Sequence, residues 1–422
     1  MKEKILHYLW LHKQVDVTRL FTTKGEKIEI LQFGSYLQTS GPDFFNAQMF
    51  IGNQKWAGNI EIHVKSSDWY LHHHETDANY DNVILHVVWE HDTEVYRKDN
   101  SEISVLELQN VVDSLLIQKI DDLLNTKQWI NCESSIASVD NFILENWKER
   151  LFFERLEERA VDIHELFCSL NKDWEATYMA VLAKNFGLNT NGEAFLNILK
   201  AIPVSVLRKE RHEPKNIEAL LFGVSGLLES DFEEQYPKEL QQIWNYQKQK
   251  YQLLKIAYIE LQFYKLRPDN FPTIRLAQLA ALVCHEHSIY TLVNQMNSVQ
   301  KLSELLRIEV SEYWNTHYTF DKVSKFRSKR MSAEFTELLA INAVIPLQYA
   351  YSKYQDKDIT EKIIVFLREL KPEHNAILSN FEALNISNRN AYDSQALLQL
   401  KKKYCNDKQC LKCAIGIQLL KK

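Results

Sequence analysis

Residues 41–89, GPDFFNAQMFIGNQKWAGNIEIHVKSSDWYLHHHETDANYDNVILHVVW, hold the densest run of strand and site signals in the chain. Gly41-Pro42-Asp43 reads as a turn that closes a loop begun at Gly34. Residues 44–51 and 56–65 read as two strands joined through Gly52-Asn53, the glycine supplying the positive φ of a tight hairpin. Within the second strand, Ile60-Glu61-Ile62-His63-Val64-Lys65 alternates strictly. Strand geometry therefore puts the two isoleucines and Val64 on one face, and Glu61, His63 and Lys65 on the other. Residues 83–89 (VILHVVW) are nearly continuous in apolar side chains, as expected of a central strand covered on both faces.

Outward from this stretch, residues 3–13 have the spacing of an amphipathic helix, and residues 28–33 and 103–108 add short strands. After Asp113 the apolar residues recur at helical spacing. They do so over 115–124, 142–170, 174–186, 217–228, 238–266, 275–284, 299–314, 333–353, 360–370 and 394–404. Only 10 Gly and 8 Pro in 422 residues favour long helices. The expected fold is α+β. A small mixed-sheet α/β domain occupies residues 1–125, and a large all-helical region, residues 126–422, ends in a cysteine cluster.

Charge is unevenly spread. Residues 1–125 carry 11 Lys/Arg against 19 Asp/Glu, a net −8, and 8 of the 14 histidines; the remaining 297 residues sum to +2. Such a domain suits metal binding or acid–base chemistry better than unaided attraction of phosphate. No apolar run reaches the roughly 18 residues of a membrane span, and residues 1–10 lack a signal-peptide core. The six cysteines do not form a disulfide framework. These features predict a cytoplasmic protein in a reducing compartment, with no membrane partner. Oligomeric state is not encoded in any of them.

Three constellations bear chemistry. The first is the ionisable face of residues 60–65, which is costly beside a core unless it is solvated or functional. If the hairpin pairs, Asp43 comes near Glu61 and His63. The carboxylates would hold Mg²⁺ or Mn²⁺ through oxygen, and a basic neighbour would orient a water. The arrangement resembles the PD-(D/E)xK nuclease core, with Pro42-Asp43 as its first half and Glu61-Ile62-His63 as its second. The resemblance implies a restriction-endonuclease-like fold and metal-dependent cleavage of nucleic acid, with Asp43, Glu61, His63 and Lys65 catalytic. His63 stands where that superfamily usually has lysine. Lys65 lies one step further along the same face, and some members resembling mismatch-nicking endonucleases use histidine.

The second constellation is His72, His74, Asp77 and His86, residue types that ligate Zn²⁺, Fe²⁺ or Mn²⁺. A cupin-like HxH site lacks its Gly and Pro spacing here; a polar loop beside a core histidine is the other reading. The third is Cys405-x4-Cys410-x2-Cys413, whose spacing suits a zinc knuckle or part of an iron–sulphur site, with Cys132 as the candidate fourth ligand. It is similar to the cysteine clamp of helicase-nuclease and CRISPR-adaptation nucleases; four reduced thiols without metal are the alternative. Cys168 and Cys284 read as core thiols. The basic run 322–330 (KVSKFRSKR) reads as a solvated loop or a phosphate contact. Arg267 and Arg275 flank a proline turn, where they would pin helices or receive an anion.

GPDF (41–44), NIEIHVKSSDWYLHHHETDANY (59–80), RPDNFPTIRLAQLA (267–280) and the C-terminal cysteine segment together resemble a bacterial domain-of-unknown-function family along essentially the whole chain. That resemblance implies no activity. Three functions follow from the residues: a metal-dependent nuclease, a non-catalytic scaffold for a protein partner built on a nuclease-like core, or a transition-metal hydrolase using His72, His74 and His86.

Overall fold

The computed structural model describes residues 1–37, 41–254, 260–286 and 288–421. Contacts divide the chain into two compact units, Met1–Leu144 with Lys401–Lys422, and Glu145–Leu400. The linear reading put residues 126–422 in one helical domain. Here residues 126–144 and the C-terminal segment belong with the first unit instead, because Leu411 and Leu420 are buried in its core.

The first unit runs α1 (Glu3–Leu11), β1 (Ile28–Gln32), β2 (Ser35–Tyr36), β3 (Phe44–Ile51), β4 (Gln54–Lys65), α2 (Asp68–Leu71), β5 (Val83–Glu90), β6 (Ser104–Glu107) and α3 (Ser114–Leu124). The sheet order is β1-β3-β4-β5-β6, with β2 also on β3. β1, β3 and β4 are antiparallel neighbours, whereas β4, β5 and β6 are parallel. Gly52, at φ 59°, makes the β3–β4 turn. The parallel β4–β5 step requires a crossover, and α2 with two 3-10 turns supplies it. Of the loop expected over residues 34–41, residues 38–40 lie outside the described residues.

Both faces of the sheet are covered. Ile60, Ile62, Leu85, Val87 and Leu106 pack with Leu6, Leu9 and Trp10 of α1 and Ile120 of α3. On the other face, Val83, Val88 and Val105 pack with Trp69 and Tyr80 from the crossover. The polar face of β4 therefore lies under the crossover rather than in water.

The second unit is mostly helical, from the bulk of Asn141–Ser169 through Trp174–Phe186 to Ala391–Gln399. It also holds a two-stranded ribbon, His317–Thr319 with Lys322–Val323, whose second strand opens the basic run. The helix expected over 299–314 stops at Leu305; Ile308 and Val310 are buried and Arg307 and Glu309 exposed, a strand-like alternation that competes with helix. The helix expected over 238–266 ends at Lys250; residues 255–259 of that span lie outside the described residues. The single helix expected over 333–353 contains a π segment, Ala340–Val344, just before Pro346, whose missing N–H the wider turn accommodates. Among the described residues, no helix is long and apolar enough to cross a membrane.

One close approach in this unit is testable. A Cβ on Gly223, in the helix Pro214–Val224, would lie 2.1 Å from Cδ2 of Trp244. Since neither backbone nor a packed indole yields cheaply, Gly223→Ala should destabilise the second unit by about 3 kcal/mol. Urea unfolding followed by far-UV circular dichroism would read this, and an unchanged midpoint would contradict it.

Candidate metal centre

Strand β4 leaves the core at Lys65, and the chain turns on polar contacts. Asp68 accepts the Lys65 N–H (2.9 Å), and Asp92 accepts from Ser66 Oγ and the Ser67 N–H (3.0 and 2.9 Å). Trp69 is fully buried and anchors the short α2 beneath the sheet. His73 is left-handed (φ 60°), and 3-10 turns follow over His74–Thr76 and Ala78–Tyr80. This path brings His72 and His74 back over the polar face of β4, with the Tyr80 ring stacked on His74 at 3.7 Å.

Glu61 lies at the centre. Its Oε2 accepts the Asp43 N–H (3.1 Å), while Asp43 Oδ2 accepts the Ile62 N–H (3.0 Å), so the openings of β3 and β4 lock reciprocally. Glu61 Oε1 stands 3.5 Å from His63 Nε2 and 3.4 Å from His74 Nε2, and His63 Nε2 is 3.1 Å from His72 Nδ1. Among the described residues, the one group of three or more potential ligand atoms within 4.8 Å of one another is His63, His72 and His74. Ligands around a tetrahedral cation at about 2.0–2.1 Å are separated by about 3.3 Å, close to the three distances above, while Glu61 lies outside the mutually close group and would have to draw nearer to His72 on a shared ion. Glu61 and His63 are nearly inaccessible, with side chains 7% and 2% exposed, whereas His72 is on the surface and opens the cluster to solvent.

Electrostatics suit a cation. Burial, followed by the Asp43 charge, pushes Glu61 up to about 9. Burial, followed by the neighbouring imidazoles, lowers His63 to about 2; burial lowers His86 to about 3 and also lowers His74. These three imidazoles are therefore neutral, the form that ligates metal, and a cation would replace the proton on the buried carboxyl.

His86 sits behind His63, its Nε2 2.9 Å from His63 Nδ1. For Nε2 of His63 to face a metal, its Nδ1 must carry the proton and donate to His86. His86 is thereby an orienting partner rather than a ligand, and its own Nδ1 is buried with no hydrogen-bond partner. Asp77 caps the second 3-10 turn by accepting the Asn79 N–H (2.9 Å) and is exposed. Lys65 is exposed at the strand end, paired with Glu90 at 3.2 Å. It is not brought to the cluster.

His7, which the sequence reading treated only as part of an amphipathic helix, joins the site: its Nε2 is 3.1 Å from Asp43 Oδ2. Burial opposes its charge, but the Asp43 hydrogen bond and charge outweigh burial and raise its pKa. The only trace in the sequence is a histidine among the core-facing residues of α1.

Arg275 and three residues of the basic run are engaged in structural contacts. Arg275 donates to Gln278 (2.8 Å) and Asn270 (2.5 Å) and stacks on Phe335, which pins helices. In the basic run, Arg327 and Arg330 pair with Asp269 and Glu309, and Lys329 is buried over the Tyr318 ring. Cys132, Cys405, Cys410 and Cys413 all fall in the first unit.

The family described as "Protein of unknown function (DUF2851)" matches residues 3–376. The chain belongs to that family. No curated protein and no solved structure matches it. The span that matches DUF2851 takes in every residue from His7 to His86 described above, and Cys132. The cysteines at 405, 410 and 413 lie past its end.

Proposed function

We propose that this DUF2851 protein is a metal-dependent hydrolase of phosphodiesters, its cation held by Glu61, His63, His72 and His74. The observation that carries the reading is the approach of Glu61 Oε1 to two imidazole nitrogens, 3.4 and 3.5 Å away, beside the mutually close ligand atoms of His63, His72 and His74. Three nitrogens and one carboxylate suit Mn²⁺, Zn²⁺ or Fe²⁺ better than Mg²⁺, which prefers oxygen. Such a cation polarises a phosphoryl oxygen and lowers the pKa of water. Asp43, held by the Ile62 N–H and His7, stands beside Glu61 and would orient the attacking water. The phosphodiester substrate is what the nuclease-core resemblance implies: an acid opens one strand, and Glu-x-His lies on its antiparallel neighbour.

The test is cleavage of bis-p-nitrophenyl phosphate and of single- and double-stranded DNA and RNA, at low salt, with each metal. Chelation and Asp43→Asn should each remove the activity, and Lys65→Ala should leave it unchanged. A parent protein that binds the metal and cuts nothing favours the second reading, a non-catalytic scaffold. The observation behind that alternative is the net −8 of residues 1–125, since polyphosphate binding draws on Lys and Arg.

A further inference from the structure

Four of the six cysteines fall in the first unit, outside the histidine cluster. Cys405 ends a π-helical turn (Leu400–Cys405), Cys410 opens a 3-10 turn (Cys410–Lys412), and Cys413 precedes the helix Ala414–Lys421. Cys132 lies 273 positions before Cys405, and specific contacts bring its loop to the C-terminal segment. Lys401 Nζ donates to the Trp129 carbonyl (3.1 Å) and lies 4.9 Å from the Trp129 ring centre. Gln418 accepts the Asp140 N–H (3.1 Å). A Cβ on Gly416 would meet the Cys410 carbonyl oxygen at 2.1 Å, so the terminal helix is seated directly against this turn. Cys132, Cys410 and Cys413 are buried and Cys405 is half-buried.

Cys132 interacts electrostatically with Cys413 and Cys410, and Cys405 with Cys132, Cys413 and Cys410, which places the four side chains in one neighbourhood.

We propose that Cys132, Cys405, Cys410 and Cys413 hold a thiolate-bound metal centre, zinc or an iron–sulphur cluster, that ties the C-terminal segment to the first unit. Soft thiolates share this preference for zinc and iron–sulphur cores. Among the described residues no three of the sulphurs lie within 4.8 Å of one another. Zinc–sulphur bonds of 2.3 Å would set them about 3.8 Å apart. Zinc would therefore draw the loops inward, whereas a sulphide-bridged iron core tolerates wider sulphur separations.

The centre is independent of the hydrolase reading, and the experiment keeps them apart. Full-length His63→Ala protein, disabled at the histidine cluster, is purified anaerobically and assayed for zinc, iron and acid-labile sulphide and for its visible spectrum. Expected is either about one zinc per chain, or iron with sulphide and a thiolate-to-iron absorption band. Either should be lost in Cys132→Ser and Cys410→Ser and kept in Cys168→Ser, whose thiol is exposed. Should the serine variants fail to fold, cobalt added to the reduced, metal-stripped parent must give a thiolate-to-cobalt charge-transfer band. Absence of metal and sulphide together with absence of that band overturns the proposal, as does metal retained in both serine variants.

Discussion

Removing the His63 imidazole is expected to cost the first unit its cation. In metal-stripped protein, His63→Ala should weaken Mn²⁺ binding, which the thiolates do not compete for, by roughly a thousandfold, beyond the 10–100-fold that a ligand's outer partner is worth. His63 is singled out because its Nε2 stands 3.1 Å from His72 Nδ1 and 3.5 Å from Glu61 Oε1, so two of the cluster's close approaches pass through it. His86→Phe keeps a ring of similar shape but removes the acceptor for His63 Nδ1. It should weaken binding about 10–100-fold, by freeing the His63 ring rather than by deleting a ligand. Titration calorimetry with Mn²⁺ distinguishes the two. Unaltered affinity in His63→Ala would remove the centre as drawn.

The second large effect lies in the helical unit. Glu218 is buried, and its carboxylate accepts from Tyr236 Oη (2.7 Å), Trp314 Nε1 (2.9 Å) and Ser311 Oγ. Glu218→Leu would leave these donors without a partner, at about 1–3 kcal/mol each, and should cost about 3 kcal/mol or more. Glu218→Gln keeps two acceptor lone pairs and should cost less. Burial raises the Glu218 pKa, and the three donors, which favour the anion, do not offset it. With the folded pKa above the unfolded one, the folded state holds the proton more tightly. The contribution of Glu218 to stability is thus full below the ordinary carboxylate range and is lost as pH rises through the folded value. Urea unfolding followed by tryptophan fluorescence at pH 5 and pH 8 should show a fall in stability that Glu218→Gln reduces. A slope identical in parent and variant would count against a raised Glu218.

Much of the first unit is written in short-range pattern. Strict alternation over residues 60–65 put Glu61 and His63 together on one face of β4, and the Gly52-Asn53 turn specified an antiparallel β3–β4 hairpin. From these two features alone Asp43 was expected near Glu61, and the two are joined by reciprocal hydrogen bonds. The same alternation overreached at Lys65: period two assigns a face, but it does not say where along the strand the cover ends, and at Lys65 it has ended. Long helices with a clean 3.6 period, such as Asn141–Ser169 and Trp174–Phe186, were legible almost to their ends, whereas the strand-like residues 307–310 interrupted the helix expected over 299–314.

Period and turn chemistry are local, because they follow from backbone geometry within a few residues, and the sequence therefore specified the strands, the hairpin and which side chains share a face. It also supplied the list of groups able to bind a metal. Which of those groups meet is a matter of long-range packing. His7 reaches Asp43 across 36 positions, His72 and His74 fold back through a crossover of 3-10 turns, and Cys132 meets a segment more than 270 positions away. Protonation is settled at the same level, since the neutral histidines and the raised Glu61 arise from desolvation under Trp69, Tyr80 and the crossover. No residue carries that burial in its own type; it exists only once the two faces of the sheet have been covered.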